Sequence, residues 1–311
     1  MILNHLLIRQ YHTMLDRSVK KDVFAKKYFF LIIGMPIIFW ALAFPFIKIG
    51  LEELSPVNLT IMRLLVVCIV FLIFLLTMPN KFSKPHKKDI FPIFLLGFFG
   101  IIIYHLGLNY GEQYISASAA SLIIATIPIF IVVFATIFLK EKITLKIALG
   151  IILSLAGVMI ISIVGKPDAF LEIKYISGAF AVLIGALVGA GYTIVGKKML
   201  SRYSALSLTV YAFLFGSLGL LPFISNSLFE EVAAMSITGW STVIFLGLFP
   251  TVIGYVLWYV ALEIKSASEI GVYLYFIPVL SIVFSYILFR DKITWLFIFG
   301  GALVISWFIC C

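Results

Sequence analysis

Residues 116–144 read SASAASLIIATIPIFIVVFATIFLKEKIT, and residues 266–294 read SASEIGVYLYFIPVLSIVFSYILFRDKIT. At a constant spacing of 150 positions, Ser116-Ala117-Ser118 returns as Ser266-Ala267-Ser268, Ile127-Pro128 as Ile277-Pro278, Val133-Phe134 as Val283-Phe284, Lys142-Ile143-Thr144 as Lys292-Ile293-Thr294 and Gly150 as Gly300. Upstream the register slips by one position, as a single insertion or deletion would cause: Lys48 matches Lys197, Leu51 matches Leu200, Ser55 matches Ser204 and Thr60 matches Thr209. The chain reads as one unit written twice.

Its composition places both copies in lipid. Hydrophobic residues make up 63% and charged residues 12% of the chain, with a mean hydropathy of +1.18, far from a soluble domain. A hydrocarbon core of about 30 Å takes about 20 helical residues per crossing. Charge-poor runs of that length lie near 28–47, 57–78, 90–109, 117–139, 145–164, 176–196, 205–225, 237–262, 268–289 and 293–311. They are apolar on every face, whereas barrel strands alternate. The expected fold is an all-α integral membrane protein of ten transmembrane helices arranged as two inverted five-helix repeats. An odd number of crossings per copy turns the second copy upside down, an arrangement used for alternating access. The expected divisions are a cytoplasmic N-terminal tail (1–27), a first repeat (28–164), an outer connector (165–175) and a second repeat (176–311).

Lysine and arginine orient the bundle, since short cytoplasmic loops hold an excess of them. Of the 23 cations, 17 fall on the side of the N-terminal tail and five (Lys48, Lys166, Lys174, Arg290 and Lys292) on the other, so both termini are expected in the cytoplasm of a multi-pass cell-membrane protein. Arg63, in the first turns of helix 2, is expected to snorkel to the outer interface. The net charge of +9 is then a topology signal, and a nucleic-acid partner is not needed to explain it. Residues 1–27 are too polar for a signal peptide, so helix 1 is expected to remain as an uncleaved anchor. Leu3, Leu7, Tyr11 and Met14 alternatively form one stripe of an interfacial helix. Cys68, Cys310 and Cys311 form no zinc or disulfide spacing, and neither a metal nor a cofactor is expected.

Candidate site residues follow from the pairing of the repeats. Pro128 and Pro278 sit near the centres of helices 4 and 9, and helix kinks at matching positions of two halves point to a substrate site. His105, Asn109 and Glu112 share one face of helix 3, while their register mates on helix 8 include Tyr255 and Tyr259, beside Trp258. These faces read as an outer and an inner vestibule, the alternatives being interfacial anchoring for Trp258 and Tyr259 and a satisfied interhelical hydrogen bond for His105. Trp40 and Phe44 on helix 1 face Gly189 and Thr193 as mates on helix 6, with Tyr192 adjacent and Tyr273 completing a central lining. Gly185 and Gly189 also read as a close-packing pair. His105 and Glu269 are the candidate proton or cation sites, Glu269 being equally readable as a helix-start carboxylate.

Trp40-Ala41 with Lys48, Leu54-Ser55-Pro56 with Arg63, Ser116-Ala117-Ser118-Ala119-Ala120 leading into Ile127-Pro128, Lys140-Glu141-Lys142-Ile143-Thr144, and Ala156-Gly157-Val158 resemble the EamA-type drug/metabolite transporter superfamily. Tyr192-Thr193 with Lys197-Lys198, Gly254-Tyr255 with Trp258-Tyr259-Val260-Ala261, and Arg290-Asp291-Lys292-Ile293-Thr294 resemble it again in the second half. The resemblance implies ten helices, cytoplasmic termini, a cavity lined by helices 1, 3, 4, 6, 8 and 9, and transport of small metabolites, often efflux of amino acids or related compounds. Gly189 and Glu269 depart from its pattern, standing where a tryptophan and a neutral or basic residue are usual.

The expected function is a secondary transporter working as a monomer or homodimer on a small-molecule substrate within the lipid bilayer, with proton coupling open. A lipid or polyprenyl-carrier flippase shares the fold and is the nearest alternative. A membrane-embedded enzyme is the more distant one, since paired aspartates, a zinc helix and a Ser/His pair are all missing, as is a phosphate-binding Gly-x-x-x-x-Gly-Lys loop for ATP.

Overall fold

Serine starts the helices. In the computed structural model, which describes residues 27–149, 151–153, 156, 173–289 and 299, the Ser55 hydroxyl accepts from Asn58 N at 3.4 Å and Pro56 takes the first position of α2 (Pro56–Thr77). Ser116 opens α4 (Ala117–Leu139) through Ala119 N at 3.1 Å, and Ser204 opens α7 (Ala205–Phe223) through Ser207 N at 3.2 Å. Ser266 opens α9 (Ala267–Leu288) with a capping box, in which the Glu269 carboxylate accepts from Ser266 N at 3.1 Å. These four caps are two register pairs, Ser55 with Ser204 and Ser116 with Ser266.

With α1 (Phe29–Gly50), α3 (Lys87–Tyr114), α6 (Ile173–Met199) and α8 (Ile237–Ile264), eight helices among the described residues are long and apolar enough to cross a membrane. The start of α5 is helical at 145–149 and 151–153, and a short helix, Asn226–Ala234, joins α7 to α8. No strand occurs among the described residues. The expected tenth helix apart from residue 299, residues 1–26 of the tail, 165–172 of the connector and the Arg290–Thr294 motif lie outside them. Large apolar side chains such as Phe30, Leu76, Ile137, Phe180 and Ile237 point outward, the reverse of a water-soluble protein and the arrangement a lipid surround requires.

Four helices are interrupted at matching positions. α3 widens to a π-helix at Phe98–Ile103 and α8 does so at Gly247–Ile253. α4 breaks at Ala125-Thr126, just ahead of Pro128, and α9 tightens to a 3-10 turn at Val272–Tyr275, just ahead of Pro278. A proline lacks a donor and its ring crowds the carbonyl four residues back, which favours an irregular turn just ahead of it.

Helix ends carry a second matched device. Lys48 of α1 donates to the Glu112 carbonyl in the last turn of α3, and Lys197 of α6 donates to the Leu262 carbonyl and, at 2.7 Å, to the Lys265 carbonyl at the end of α8. Each ammonium meets carbonyls left without helical partners at the negative end of a helix dipole. This explains why a lysine follows eight residues after Trp40 and recurs at position 197.

Carboxylates clamp the two ends of the bundle. At one end Glu53 accepts from the Ser236 backbone at 2.7 Å and its hydroxyl at 2.6 Å, and Ser55 N donates to Glu231 at 2.8 Å. The Ser236 bonds hold the Glu53 carboxyl below its ordinary range, so this clamp is intact above that range and is lost as pH falls through the lowered value. At the other end of α2, Asp89 takes Arg202 at 2.7 Å and the Tyr203 hydroxyl at 2.8 Å, while Glu141 accepts from Ser268 Oγ at 2.7 Å.

Glycine permits the closest contact. A side chain at Gly97 of α3 would put its Cβ 1.9 Å from the Ala212 carbonyl oxygen of α7 and 2.9 Å from Gly216 Cα, whereas one at Gly191 meets nothing within 4 Å. Gly97→Ala is therefore expected to cost about 1–3 kcal/mol and Gly191→Ala less than about 0.5 kcal/mol, read as thermal unfolding midpoints in detergent. Equal midpoints for the two variants would contradict the contact of α3 with α7.

Candidate functional site

The interrupted segments meet around one central cavity. Its volume is about 60 Å³, small beside the roughly 300–1,000 Å³ of ligand pockets, so a metabolite requires it to widen. Twelve of its sixteen lining residues are six register pairs: Trp40 with Gly189, Ala43 with Tyr192, Phe44 with Thr193, Leu108 with Trp258, Ile124 with Leu274 and Ile127 with Ile277. The other four are Arg63, Gly100, Tyr104 and Tyr255. The lining thus comes from α1, α3, α4, α6, α8 and α9, together with α2 through Arg63.

Trp40 is fixed by the irregular part of α8. Its Nε1 donates to the Pro250 carbonyl at 2.8 Å, inside the π segment, and its ring lies 5.7 Å from Tyr255 and 5.2 Å from Trp258. The indole fits because the residue beneath it is Gly254, whose Cβ would stand 3.0 Å from Nε1. Across the cavity Tyr104 of α3 packs over Gly189 of α6, whose Cβ would stand 3.2 Å from the ring. Gly189 is the mate of Trp40 and Gly254 the mate of Tyr104, so the large and small partners have exchanged helices between the two copies. That exchange gives a physical reason for glycine at 189: Tyr104 fills the volume in its place.

Trp258 donates through Nε1 to Thr193 Oγ1 at 3.2 Å. Tyr192 stacks on Tyr259 with ring centroids 4.9 Å apart and planes 6° apart, and the Tyr259 hydroxyl donates to the Tyr192 carbonyl at 3.3 Å. Tyr259 therefore forms a layer behind Tyr192 rather than a wall of the cavity.

The structure places the expected residues differently from one another. Trp40, Phe44, Tyr192, Tyr255 and Trp258 line one cavity, so the aromatic face of α8 is not a separate vestibule. His105 is fully buried with Nδ1 donating to the Ile101 carbonyl at 2.6 Å, its ring 6.1 Å from Tyr255. Asn109 turns to α2 and donates to Thr60 Oγ1 at 2.9 Å. Tyr273 packs against Phe29 at 5.7 Å, away from the cavity lining. Glu269 is an exposed helix cap, 3.8 Å from the Lys265 ammonium, and lines no part of the cavity. Pro128 and Pro278 adjoin the lining residues Ile127 and Ile277.

Arg63 corrects the expectation of a snorkelling side chain. It is 2% exposed and lines the cavity, with Nε donating to Thr251 Oγ1 of the α8 π segment at 2.8 Å. It lies seven residues into α2, about 10 Å along the helix at 1.5 Å per residue, and its register mate is the apolar Ala212. A cation so deep without a counterpart in the second copy was the available signal. Tyr104 carried none, as an interfacial tyrosine reads the same way.

The sequence model of the EamA-like transporter family matches this chain twice, at residues 26–163 and 176–308. An uncharacterized transporter of Archaeoglobus fulgidus is 35% identical over 276 residues, covering 88% of this chain and 95% of the relative. The uncharacterized transporter YdfC of Bacillus subtilis is 33% identical, covering 86% and 85%. A probable terminal-alkyne amino-acid exporter of Streptantibioticus cattleyicolor is 30% identical, covering 88% and 89%. A solved crystal structure aligns with 89% of this chain and 93% of its own at a TM-score of 0.69 and 19% identity, a likeness of fold.

Replacing Trp40 by phenylalanine keeps a ring but leaves the Pro250 carbonyl without its donor. Trp40→Phe is expected to cost about 1–3 kcal/mol, measured as the thermal unfolding midpoint in detergent. An unchanged midpoint would show that the indole bond does not hold α1 to α8.

Proposed function

The chain belongs to the EamA-like transporter family, and we propose that it is a secondary transporter whose two inverted five-helix units, 28–164 and 176–311, rock about the central cavity. Members of the family are transporters rather than enzymes, and small-molecule substrates and a lipid surround come with membership. One observation carries the mechanism: six register pairs meet in a single cavity. A cavity built from equivalent positions of both units lies on the axis that relates them, the place that stays central while the units tilt.

Other contacts support the same reading. The Glu53 and Glu231 clamps join the α1–α2 turn to the approach of α8, and the Asp89 clamp joins the α6–α7 turn to the start of α3 at the opposite end. Opening the cavity to one side requires releasing only the clamps at that end. Lysine and arginine placement puts both termini and the Asp89 end in the cytoplasm. The similarity to a probable terminal-alkyne amino-acid exporter of Streptantibioticus cattleyicolor favours export of amino acids or related compounds.

Counterflow in proteoliposomes tests this. With an amino acid on both sides, labelled compound is expected to accumulate transiently without ATP, and Trp40→Ala is expected to slow it at least about tenfold per folded molecule, a barrier change of about 1.4 kcal/mol. No counterflow with any amino acid or with compounds exported by overexpressing cells would overturn the proposal.

A further inference from the structure

Resting on that transport reading, we infer that Arg63 receives the carboxylate of a small zwitterionic substrate while the aromatic side chains that share its cavity receive the ammonium group. The guanidinium is the one charged group in the cavity lining, and the repeat does not supply a second: position 212, its mate, is alanine. It is 2% exposed, its Nε is held by Thr251 Oγ1 at 2.8 Å, and its Nη1 has no hydrogen-bond partner among the described residues. Glu112, a buried carboxylate without a hydrogen-bond partner for its side chain among the described residues, acts on it electrostatically but forms no ion pair with it. A buried arginine with no anion in contact is costly, and in a membrane such groups face a cavity and mark substrate pathways.

The Thr251 bond has a directional consequence. It fixes Nε, so the outer edge of the planar fork stays free for a two-oxygen acceptor, the geometry that suits carboxylate. Thr251 in turn donates to the Leu246 carbonyl at 2.7 Å, so the threonine is itself anchored by the widened turn of α8. Trp40, Tyr104, Tyr255 and Trp258 supply ring faces around the same space, and aromatic faces attract an ammonium group. Opposite charges on one small molecule are thereby matched within one cavity whose other lining residues are neutral.

The test compares phenylalanine, phenylalanine amide, phenethylamine and O-phosphoethanolamine as probes of the wild-type protein in detergent, read by tryptophan fluorescence and thermal midpoint. Phenylalanine is expected to bind at least about tenfold tighter than its amide or amine, about 1.4 kcal/mol. Arg63→Gln is expected to erase that ratio and Arg63→Lys to keep part of it. Equal binding of acid and amide, no binding of phenylalanine, or binding of O-phosphoethanolamine alone would overturn the carboxylate assignment. The wild-type comparison decides the matter even where Arg63→Gln does not fold. Counterflow separates the two levels: transport indifferent to the carboxylate sinks the assignment but leaves the transporter reading, whereas loss of all counterflow sinks both.

Discussion

Hydrocarbon offers no water to a stray backbone group, so each irregularity in these helices needs a partner from within the protein. The π segment of α8 is where that demand is greatest. Its Pro250 carbonyl is met by Trp40 and its Thr251 hydroxyl by Arg63, both from the first half of the chain. These two bonds tie the halves in the middle of the bundle, and further polar ties between them lie at its ends. Lys48 and Lys197, by contrast, each close a helix end within their own half. The halves also pack closely on one another, α3 against α6 and α7 and α1 against α8 and α9, so the polar ties at the two ends are the contacts that can be released separately.

The two copies have diverged where the cavity needs chemistry. Trp40 over Gly254 and Tyr104 over Gly189 keep the packing volume while changing which helix carries the ring. Arg63 and Tyr255 have no equivalents in the lining, and they bring charge and a phenol to one wall. A two-fold site would suit a symmetric ligand, and these departures make it directional. The cost of a buried guanidinium, about 2.5–3.5 kcal/mol at a helix centre on insertion scales, is one that packing alone would not retain.

Much of this was legible in the sequence because membrane helices advertise themselves. Long apolar runs gave α1 to α4 and α6 to α9 as elements, with ends that differ by up to five residues, as for α3, expected at 90–109 and observed at Lys87–Tyr114. Trp40, Phe44, Tyr192, Tyr255 and Trp258 share a cavity lining, a placement the pairing of aromatic residues near helix centres made readable. Arg63 was misread because length alone allows a side chain near a helix end to reach water; only the α8 π segment reveals what draws it inward. His105 and Asn109 share a face, as their spacing required, but periodicity fixes a face and not its neighbour, and Thr60 and the Ile101 carbonyl claim them. Glu269 is an exposed cap because Ser266 three residues before it completes a capping box, a local pattern stronger than any pull toward the cavity.

The central claim is that the second half is the first turned over in the membrane. Glu52 and Ser201 are exposed register mates in the turns after α1 and α6, so they test it directly. In a cysteine-free background, Glu52→Cys and Ser201→Cys would be treated with an impermeant maleimide on intact cells and again after permeabilisation. The account requires Glu52→Cys to label from outside and Ser201→Cys only once the membrane is opened. Labelling of both from the same face would contradict it.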